Sequence, residues 1–251
     1  MTRALRLIAP VVAGLIGLGL WTLWVDVLGT APRALPSPGD IAEQLVRYAG
    51  IIGEDLVVTG TNALLGLVVG AVLAIALAAA AARARPVDGM LAPLVAALAV
   101  VPIVAVTPIL NTMFGASSQF GRQAVAAVAA FVPVFVNTLR GLRQTRPVQR
   151  DLFRATAANG AQTFRLLTLP TAVPQLMTGL RIASSVAVIS ALVAEYFGGP
   201  ANGIGTAIAS YAKSGHAALA WAYVTGGIAI GLVFFLVTSL LERLASRRSP
   251  A

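Results

Sequence analysis

Few side chains in this chain could carry out covalent or metal chemistry. It has one histidine, His216, one lysine, Lys213, and no cysteine among 251 residues, which excludes disulfides, thiolate metal sites and cysteine nucleophiles. Ser117 or Ser118 could pair with the histidine as in a membrane serine protease, but neither stands in a G-x-S-x-G context. The lysine follows Ala212 and does not end a phosphate-binding G-x-x-x-x-G-K-[ST] loop. We predict no catalytic, cofactor or metal site and keep the serine–histidine dyad only as an alternative.

Polar groups within or at the ends of apolar runs are the other candidates. Glu195, in ISALVAEYFGG, stands out because a charged side chain at membrane depth needs a partner or water. It is either a group at the outer mouth of a pathway or a carboxylate that reaches nearby water. Each candidate could instead make a hydrogen bond between helices. The predicted pathway residues are Asn111, Thr112, Asn137, Arg181, Ser184, Ser185, Ser190 and Glu195.

The composition is that of an integral membrane protein. Hydrophobic residues make up 58% of the chain and charged residues 11%, whereas an ordinary soluble domain has about 25% charged residues. A proton-coupled carrier would need a longer relay of acids or histidines than the apolar runs contain. Secondary, ion-coupled transport is therefore the alternative rather than the preferred function.

Six apolar runs follow one another along the chain. They lie at about 7–28, 56–82, 90–111, 120–139, 176–197 and 219–241. Because a helix rises about 1.5 Å per residue, about 20 residues cross the roughly 30 Å hydrocarbon layer. The strongly apolar part of the fourth run, 124–139, is short and contains Pro133, so we expect either a kink or the extension back to Phe120 that the range 120–139 includes. We predict an all-α membrane protein with six transmembrane helices in a single domain, residues 1–251.

The segments around the first loop carry two further signals. The first run follows Arg3 and Arg6 but exceeds the ~7 to 15 residues of a signal-peptide core, and no A-x-A cleavage site follows it. We expect an uncleaved helix.

After Pro38, Asp40 is placed as the N-cap of a short amphipathic helix at the outer interface, with an ordinary connector as the alternative.

Proline and glycine patterns predict how two of the spans pack. Pro93, Pro102 and Pro108 lie in the third run, where proline frees carbonyls that a neighbouring helix or a cavity must satisfy. In the second run, Gly66 and Gly70 form a G-x-x-x-G pattern, which lets helices approach closely. We expect a bent third span and a tightly packed second one.

The arginines predict the orientation of the chain. With the N-terminus inside, thirteen of the eighteen basic residues lie on the cytoplasmic side, and four lie outside: Arg33, Arg47, Arg122 and Lys213. Basic residues concentrate on the cytoplasmic side of membrane proteins, so both termini are predicted to be cytoplasmic. No basic face is interleaved with aromatic residues, which argues against a nucleic-acid partner.

The longest charged interval between spans is the predicted cytoplasmic segment 140–174. Phe153, Ala157, Gly160 and Phe164 recur there at intervals of four, three and four, as on one side of a helix. Asn159 and Gly160 offer a break, so we expect a short helix, a turn there, and a second helix. The charged residues of the segment are Arg140, Arg143, Arg146, Arg150, Asp151, Arg154 and Arg165.

The sequence DLFRATAANGAQTFRLLTLPTAVP resembles the EAA loop of permease subunits of binding-protein-dependent ABC importers. The other similar stretches are LPSPGD, PVDGMLAPLVAAL, VPIVAVTPIL, FVNTLRGL, TGLRIA and AEYFGGPANGIGTAI, which match the nitrate, sulfonate and taurine branch. The likeness covers nearly the whole chain. It implies the type I importer fold, in the inner membrane of a bacterium.

The resemblance also implies partners. Two permease chains, identical or different, would form the pathway between two ABC ATPase subunits that hold ATP and Mg, and an external solute-binding protein would deliver a small anion or heterocycle. The loop would insert into the ATPase through Asp151, Phe153, Arg154, Ala157, Ala158, Gly160, Phe164, Leu169 and Pro170.

The loop departs from the family pattern at three places. Asp151 replaces the glutamate, Leu152 and Phe153 replace two alanines, and Ala157 stands at the glycine. We expect the turn to move to the glycine three residues on, and a partner groove with more space, since overfilling a packed contact costs about 1 to 3 kcal/mol.

Overall fold

The computed structural model describes residues 3–27, 29, 35–115 and 117–246, and every regular element in this part of the chain is helical. Short π or 3-10 stretches at Leu23–Val27, Ile103–Val106 and Phe164–Thr168 join some of the α-helices. The α-helices are α1 (Arg3–Thr22), α2 (Pro38–Arg47), α3 (Ala49–Arg83), α4 (Arg85–Val100), α5 (Thr107–Phe114), α6 (Phe120–Arg143), α7 (Pro147–Ala155), α8 (Gly160–Thr163), α9 (Leu169–Tyr196), α10 (Ile204–Lys213) and α11 (Ala217–Ser246).

Four helical stretches are long and apolar enough to cross a membrane. They correspond to the second, fourth, fifth and sixth predicted runs, and a shorter apolar helix covers Val11–Asp26 in the first. The fourth begins at Phe120, so the backward extension is confirmed. The four stretches are Ala49–Arg83, Phe120–Arg143, Gly160–Tyr196 and Ala217–Ala245.

The third run is not one continuous helix. α4 ends at Val100, the next residue is extended with φ −64° and ψ 127°, and a short 3-10 stretch precedes α5. Pro102 has no N–H to donate and restricts the residue before it, so the α-helix cannot run through this point. The predicted disruption of the run 90–111 by proline is therefore confirmed.

The core is built from α3, α6 and α9, which approach each other through glycine and alanine. A methyl group on Gly66 would lie 2.5 Å from the Cβ of Ala126, and one on Gly70 would overlap the carbonyl oxygen of Ala127. On the other face of α6, a methyl group on Gly179 would lie 3.0 Å from the carbonyl oxygen of Pro133. The close packing predicted from G-x-x-x-G is confirmed, and its partner is α6.

α2 and α10 lie at the end of the bundle opposite the α6–α9 connection, which we call the outer end after the predicted orientation. Ser37 is the N-cap of α2: its Oγ accepts from the Asp40 N–H at 3.1 Å, and the Asp40 carboxylate accepts from the Ser37 N–H at 3.4 Å. Asp40 thus completes a capping box as the third helical residue, and its assignment as the N-cap is wrong. Ile41 is buried against the helices of this end, which supports the amphipathic helix over a plain connector.

Candidate functional site

The segment between α6 and α9 contains the predicted helix–turn–helix. Gln149 accepts from the Arg146 N–H through its side chain at 3.1 Å, which satisfies a backbone donor at the start of α7. Pro147 stands at the first helical position, where its missing N–H is not needed. The segment 140–174 is almost entirely helical, because α6 continues to Arg143 and helix resumes at Gly160.

The turn after α7 is formed at Ala157. This residue has φ +54° and is the one non-glycine residue with a positive φ in the part of the chain that the structure describes. The Ala158 N–H donates to the Phe153 carbonyl and the Ala157 N–H to the Arg154 carbonyl, each at 3.0 Å. This is a Schellman C-cap, in which the left-handed residue is usually glycine.

The predicted shift of the turn to Asn159-Gly160 is therefore wrong. Asn159 caps α8 by accepting from the Gln162 N–H at 2.9 Å, and Gly160 is the first helical residue. The Schellman cap requires the left-handed residue directly after the C-cap Thr156, so the backbone keeps the turn where the family has glycine even though alanine occupies the place. Ala157 also interrupts the single helical stripe expected from the residue spacing.

The surface of α7 combines exposed apolar and charged groups. Val148 and Leu152, one turn apart, are 78% and 63% exposed. Asp151 and Arg154 form an ion pair of 3.3 Å on the helix surface, worth little by itself because both groups are solvated. Phe153 is half-buried and anchors the helix at its other side. α7 thus presents a short helical surface with no intramolecular cover.

A continuous helical path leads from the turn into the membrane. α8, the π stretch Phe164–Thr168 and α9 follow each other without a break, and Pro170 lies in the first turn of α9. Leu169 is exposed and Leu167 is buried. The Thr178 Oγ1 donates to the Pro174 carbonyl at 3.0 Å. One helical stretch thus runs from Gly160, just after the turn, to Tyr196.

Glu195 lies at the centre of a polar cluster at the opposite end of the bundle. It is 1% exposed, so the interpretation as a carboxylate reaching water is wrong. Its Oε2 accepts from Thr59 Oγ1 at 2.8 Å and from the Gly205 N–H at 3.0 Å, and its Oε1 from Asn62 Nδ2 at 3.4 Å. A methyl group on Gly203, which has φ +92°, would lie 2.7 Å from the carboxylate. These glycines allow the backbone to approach the charge.

Arg122 is the second buried charge of this cluster and was not predicted. It is 0% exposed, although its position in the sequence indicated an outer loop. Its guanidinium donates to the carbonyls of Pro200 at 2.6 Å and Asn202 at 3.0 Å, and to Thr206 Oγ1 at 3.0 Å. No local signal in the sequence pairs Arg122 with the glycine-rich stretch GGPANGIG, because its carbonyl partners there lie 78 and 80 positions away. We call Thr59, Asn62, Gln119, Arg122, Glu195, Asn202 and Thr206 the outer polar cluster.

The other pathway candidates do not converge on one site. Asn111 is buried near this outer end, with an Oδ1 that has no hydrogen-bond partner. Thr112 and Asn137 donate within their own helices, to the Ile109 and Pro133 carbonyls. Ser190 is buried in α9.

Two candidates join α9 to α11, and a third lies on a hollow between them. Arg181 forms a 3.1 Å ion pair with Glu242, and Ser184 Oγ lies 2.9 Å from Thr238 Oγ1. Ser185 lines an apolar hollow of about 430 Å³ between α9, α10 and α11. The first two side chains are therefore engaged in helix packing.

The serine–histidine dyad is not formed. His216 Nδ1 lies 3.0 Å from Ser214 Oγ, and Ser118 Oγ accepts from the Phe120 N–H. Both contacts join residues two positions apart in the chain, next to the ends of helices. The outer loops therefore give no support to the protease alternative.

Two features thus define the class of this protein. One is a bundle of helices long and apolar enough to cross a membrane, and the other is α7, a short exposed helix in the connection between α6 and α9. Residues 62–249 match the family described as the binding-protein-dependent transport system inner membrane component. The chain belongs to this family, so it is a multi-pass protein of the bacterial inner membrane and a permease subunit of an ABC importer.

Individual relatives are permeases for different solutes. The chain is 32% identical to the formylaminopyrimidine transport permease protein ThiX of Halalkalibacterium halodurans, over 79% of each chain. It is 29% identical to the riboflavin transport system permease protein RibX of Chloroflexus aurantiacus, over 90% of this chain and 85% of the relative. It is 28% identical to the taurine transport system permease protein TauC of Escherichia coli, over 92% and 86%. These matches support an ABC permease over an ion-coupled carrier.

Proposed function

We propose that α7 and the turn after it form the surface through which an ATPase moves this permease. The observation that carries the proposal is the uncovered helix itself: Val148 and Leu152 expose large apolar side chains on an element that joins two spans. A helix with an exposed apolar side is suited to lie in a groove of a partner. The contact would involve Asp151, Phe153, Arg154, Ala157, Ala158, Gly160, Phe164, Leu169 and Pro170.

The charge of Asp151 would orient this contact. In the free chain it pairs with Arg154 in a solvated ion pair, worth about 0.2 to 1 kcal/mol. A basic or hydrogen-bonding group of the ATPase could therefore replace Arg154 at little energetic expense. The turn at Ala157 would then fix the direction in which the chain leaves α7, because its two backbone hydrogen bonds hold the turn against the last turn of that helix.

We further propose six transmembrane segments with both termini in the cytoplasm. The four long helices would be four of these segments. α1 would be the first segment, and α4 together with α5 would be the third. The support is the arginine density of the α6–α9 connection, which the positive-inside rule assigns to the cytoplasm. The outer polar cluster would then face the external side and the solute-binding protein.

The partners we propose are a second permease chain, identical or different, two ABC ATPase subunits, an external solute-binding protein and membrane lipid. α1 supports a larger assembly because its side chains from Val11 to Leu20 are exposed within the single chain. ATP and Mg would be held by the ATPase. Nucleotide binding would favour one arrangement of the permease pair over the other.

For the solute, we favour an uncharged heterocycle over a small sulfonate. Two arginines of the long helices are already committed: Arg122 to carbonyls of the loop after α9, and Arg181 to Glu242. A sulfonate would need donors that remain free, because a bare anion is costly in a membrane interior. Relatives named for formylaminopyrimidine and riboflavin transport are consistent with this choice.

The coupling surface is tested by Asp151→Lys. We expect the variant to lose co-purification of the ATPase and vanadate-sensitive uptake, since the reversed charge would repel a basic group in the groove. Glu54→Lys, a charge reversal of an exposed acid at the other end of the bundle, is the matched control and should leave assembly intact. Unchanged assembly in Asp151→Lys would contradict the proposal.

The orientation can be tested by cysteine labelling, because the chain has no native cysteine. Asn159→Cys should react with an impermeant maleimide only after the cells are opened, and Ser214→Cys in intact cells. Both positions are exposed. Reaction in the reverse order would place the coupling segment outside and overturn the proposed topology.

The solute class can be tested with the assembled transporter in vesicles. Uptake of labelled formylaminopyrimidine or riboflavin should depend on ATP, while labelled taurine should not accumulate. Accumulation of taurine alone would reverse the choice between the two classes.

A further inference from the structure

A cavity of about 360 Å³ lies beside the coupling segment, where the ends of α3 and α6 meet α7 and the π stretch. One side is apolar and includes Ala82, Leu142 and Phe164. The other side carries two arginines, Arg83 at the last residue of α3 and Arg150 in α7. The cavity therefore combines an apolar wall with two cations.

Within the part of the chain that the structure describes, neither arginine has an anionic partner. Arg150 Nη2 donates to Thr145 Oγ1 at 3.2 Å, which is a neutral contact. In residues 3–27, 29, 35–115 and 117–246, the ion pairs are Asp88–Arg143, Asp151–Arg154 and Glu242–Arg181. Arg83 and Arg150 take part in none of them. Both guanidinium groups are exposed, so water screens their repulsion, and an anion placed between them would be attracted by both.

The position of the cavity indicates which anion would fit. Ala79 and Ala82 lie on the exposed side of the last turns of α3, where acyl chains would meet the helix. Arg83 ends that helix and so lies at the depth of lipid headgroups. Guanidinium groups bind phosphate oxygens in a bidentate geometry. A free phosphate would use the arginines but leave the apolar wall unoccupied.

We propose that this cavity binds the phosphodiester headgroup of an anionic phospholipid, with the start of an acyl chain against its apolar wall. Basic pockets between membrane helices on the cytoplasmic side are suited to such headgroups. Arg150 directly precedes Asp151 of the coupling surface, so the bound lipid would fix α7 relative to α3. The inference rests on the inward orientation proposed above, which the cysteine labelling tests separately.

The test uses the complete transporter with its ATPase, carrying Arg83→Gln, Arg150→Gln or Arg85→Gln in the permease. Retention of phosphatidylglycerol against phosphatidylcholine is measured by native mass spectrometry after delipidation and titration. Because each arginine near the surface contributes about 1 kcal/mol to anionic lipid binding, we expect about fivefold weaker retention for each of the first two variants. Arg85→Gln, an exposed arginine outside the cavity, should retain the lipid like the parent chain.

Two further measurements distinguish lipid binding from a folding defect and from general anion binding. Arg150→Lys should keep most of the retention, since it keeps the charge, whereas a folding defect would not be rescued. Inorganic phosphate should fail to displace the lipid, and displacement would show a general anion site and overturn the proposal.

Three other results would also overturn it. They are equal loss in all three glutamine variants, no loss in Arg83→Gln and Arg150→Gln, and loss of the ATPase subunit with the lipid retained. The first would indicate only a general surface attraction, and the last would assign the two arginines to the ATPase contact. Reversed cysteine labelling would instead place the cavity on the external side and overturn the topology, a result that can be told apart because lipid retention by the glutamine variants is measured separately.

Discussion

Replacing Ala157 with glycine should stabilise the end of α7. The residue has φ +54°, a region in which the Cβ of an L-residue approaches the following carbonyl oxygen. Two backbone hydrogen bonds hold it there, from the Ala158 N–H to Phe153 and from its own N–H to Arg154. Glycine has no Cβ and could keep both bonds without the steric conflict.

The size of the effect follows from two opposing terms. An L-residue in the left-handed region loses about 1 to 2 kcal/mol, which glycine would recover. Glycine also has more freedom in the unfolded segment, which offsets about 0.5 to 1 kcal/mol. The net gain of somewhat under about 1 kcal/mol corresponds to an equilibrium change of up to about fivefold between closed and frayed α7.

Hydrogen–deuterium exchange of the Ala158 amide measures this change. The amide is protected only while the Schellman cap is closed, so its protection factor should rise by up to about fivefold in Ala157→Gly. The matched control is Ala155→Gly, in the last turn of α7, where the same substitution costs about 1 kcal/mol and should lower the protection. If both variants change protection in the same direction, or if Ala157→Gly lowers it, the reasoning from the backbone angle is wrong.

Three further predictions concern stability of the purified permease, measured as thermal unfolding in detergent. Gly70→Ala should destabilise the protein by about 1 to 3 kcal/mol, since the new methyl group meets a backbone oxygen of α6, whereas Gly50→Ala in an open part of α3 should be neutral or stabilising. Glu195→Gln should cost about 1.5 to 3 kcal/mol through weaker buried hydrogen bonds, and Glu54→Gln should have no effect. Thr59→Val should cost about 1 kcal/mol alone and less in combination with Glu195→Gln, because the two side chains share one hydrogen bond; additive losses would contradict that coupling.

The apolar helices could be predicted because their signal is local. A run such as 56–82 needs no partner to show that it belongs in lipid, and α3 includes the whole of it. The ends were harder to place. α3 begins at Ala49 and α11 continues to Ser246, because polar turns of a helix outside the hydrocarbon layer are stabilised by neighbours and caps rather than by hydropathy.

The third run shows what hydropathy alone leaves out. Its hydropathy indicates a span, but α4 ends at Val100, before Pro102. Hydropathy measures only whether a side chain prefers lipid to water. It does not take account of the N–H that proline lacks and a helix needs. The prolines themselves gave the correct indication that the helix would be disturbed.

Buried polar groups depended most on the tertiary structure. Arg122 was counted with the outer charges, and Glu195 was left between a pathway group and a solvated carboxylate. Both are buried because α3, α6 and the glycine-rich loop after α9 meet at one end of the bundle. A sequence indicates that a charge needs a partner, but the partners of Glu195 are as far as 136 positions away.

The sequence by itself determined the membrane class of this protein, its helical content and the position of the segment between α6 and α9, because these depend on hydropathy and on charges next to each other in the chain. Only the tertiary structure decided that Ala157 takes the left-handed turn, and that Arg122 and Glu195 lie inside one polar cluster. Backbone angles and burial are set by packing between distant segments, where the gain from many contacts exceeds the cost of one strained residue or one desolvated charge.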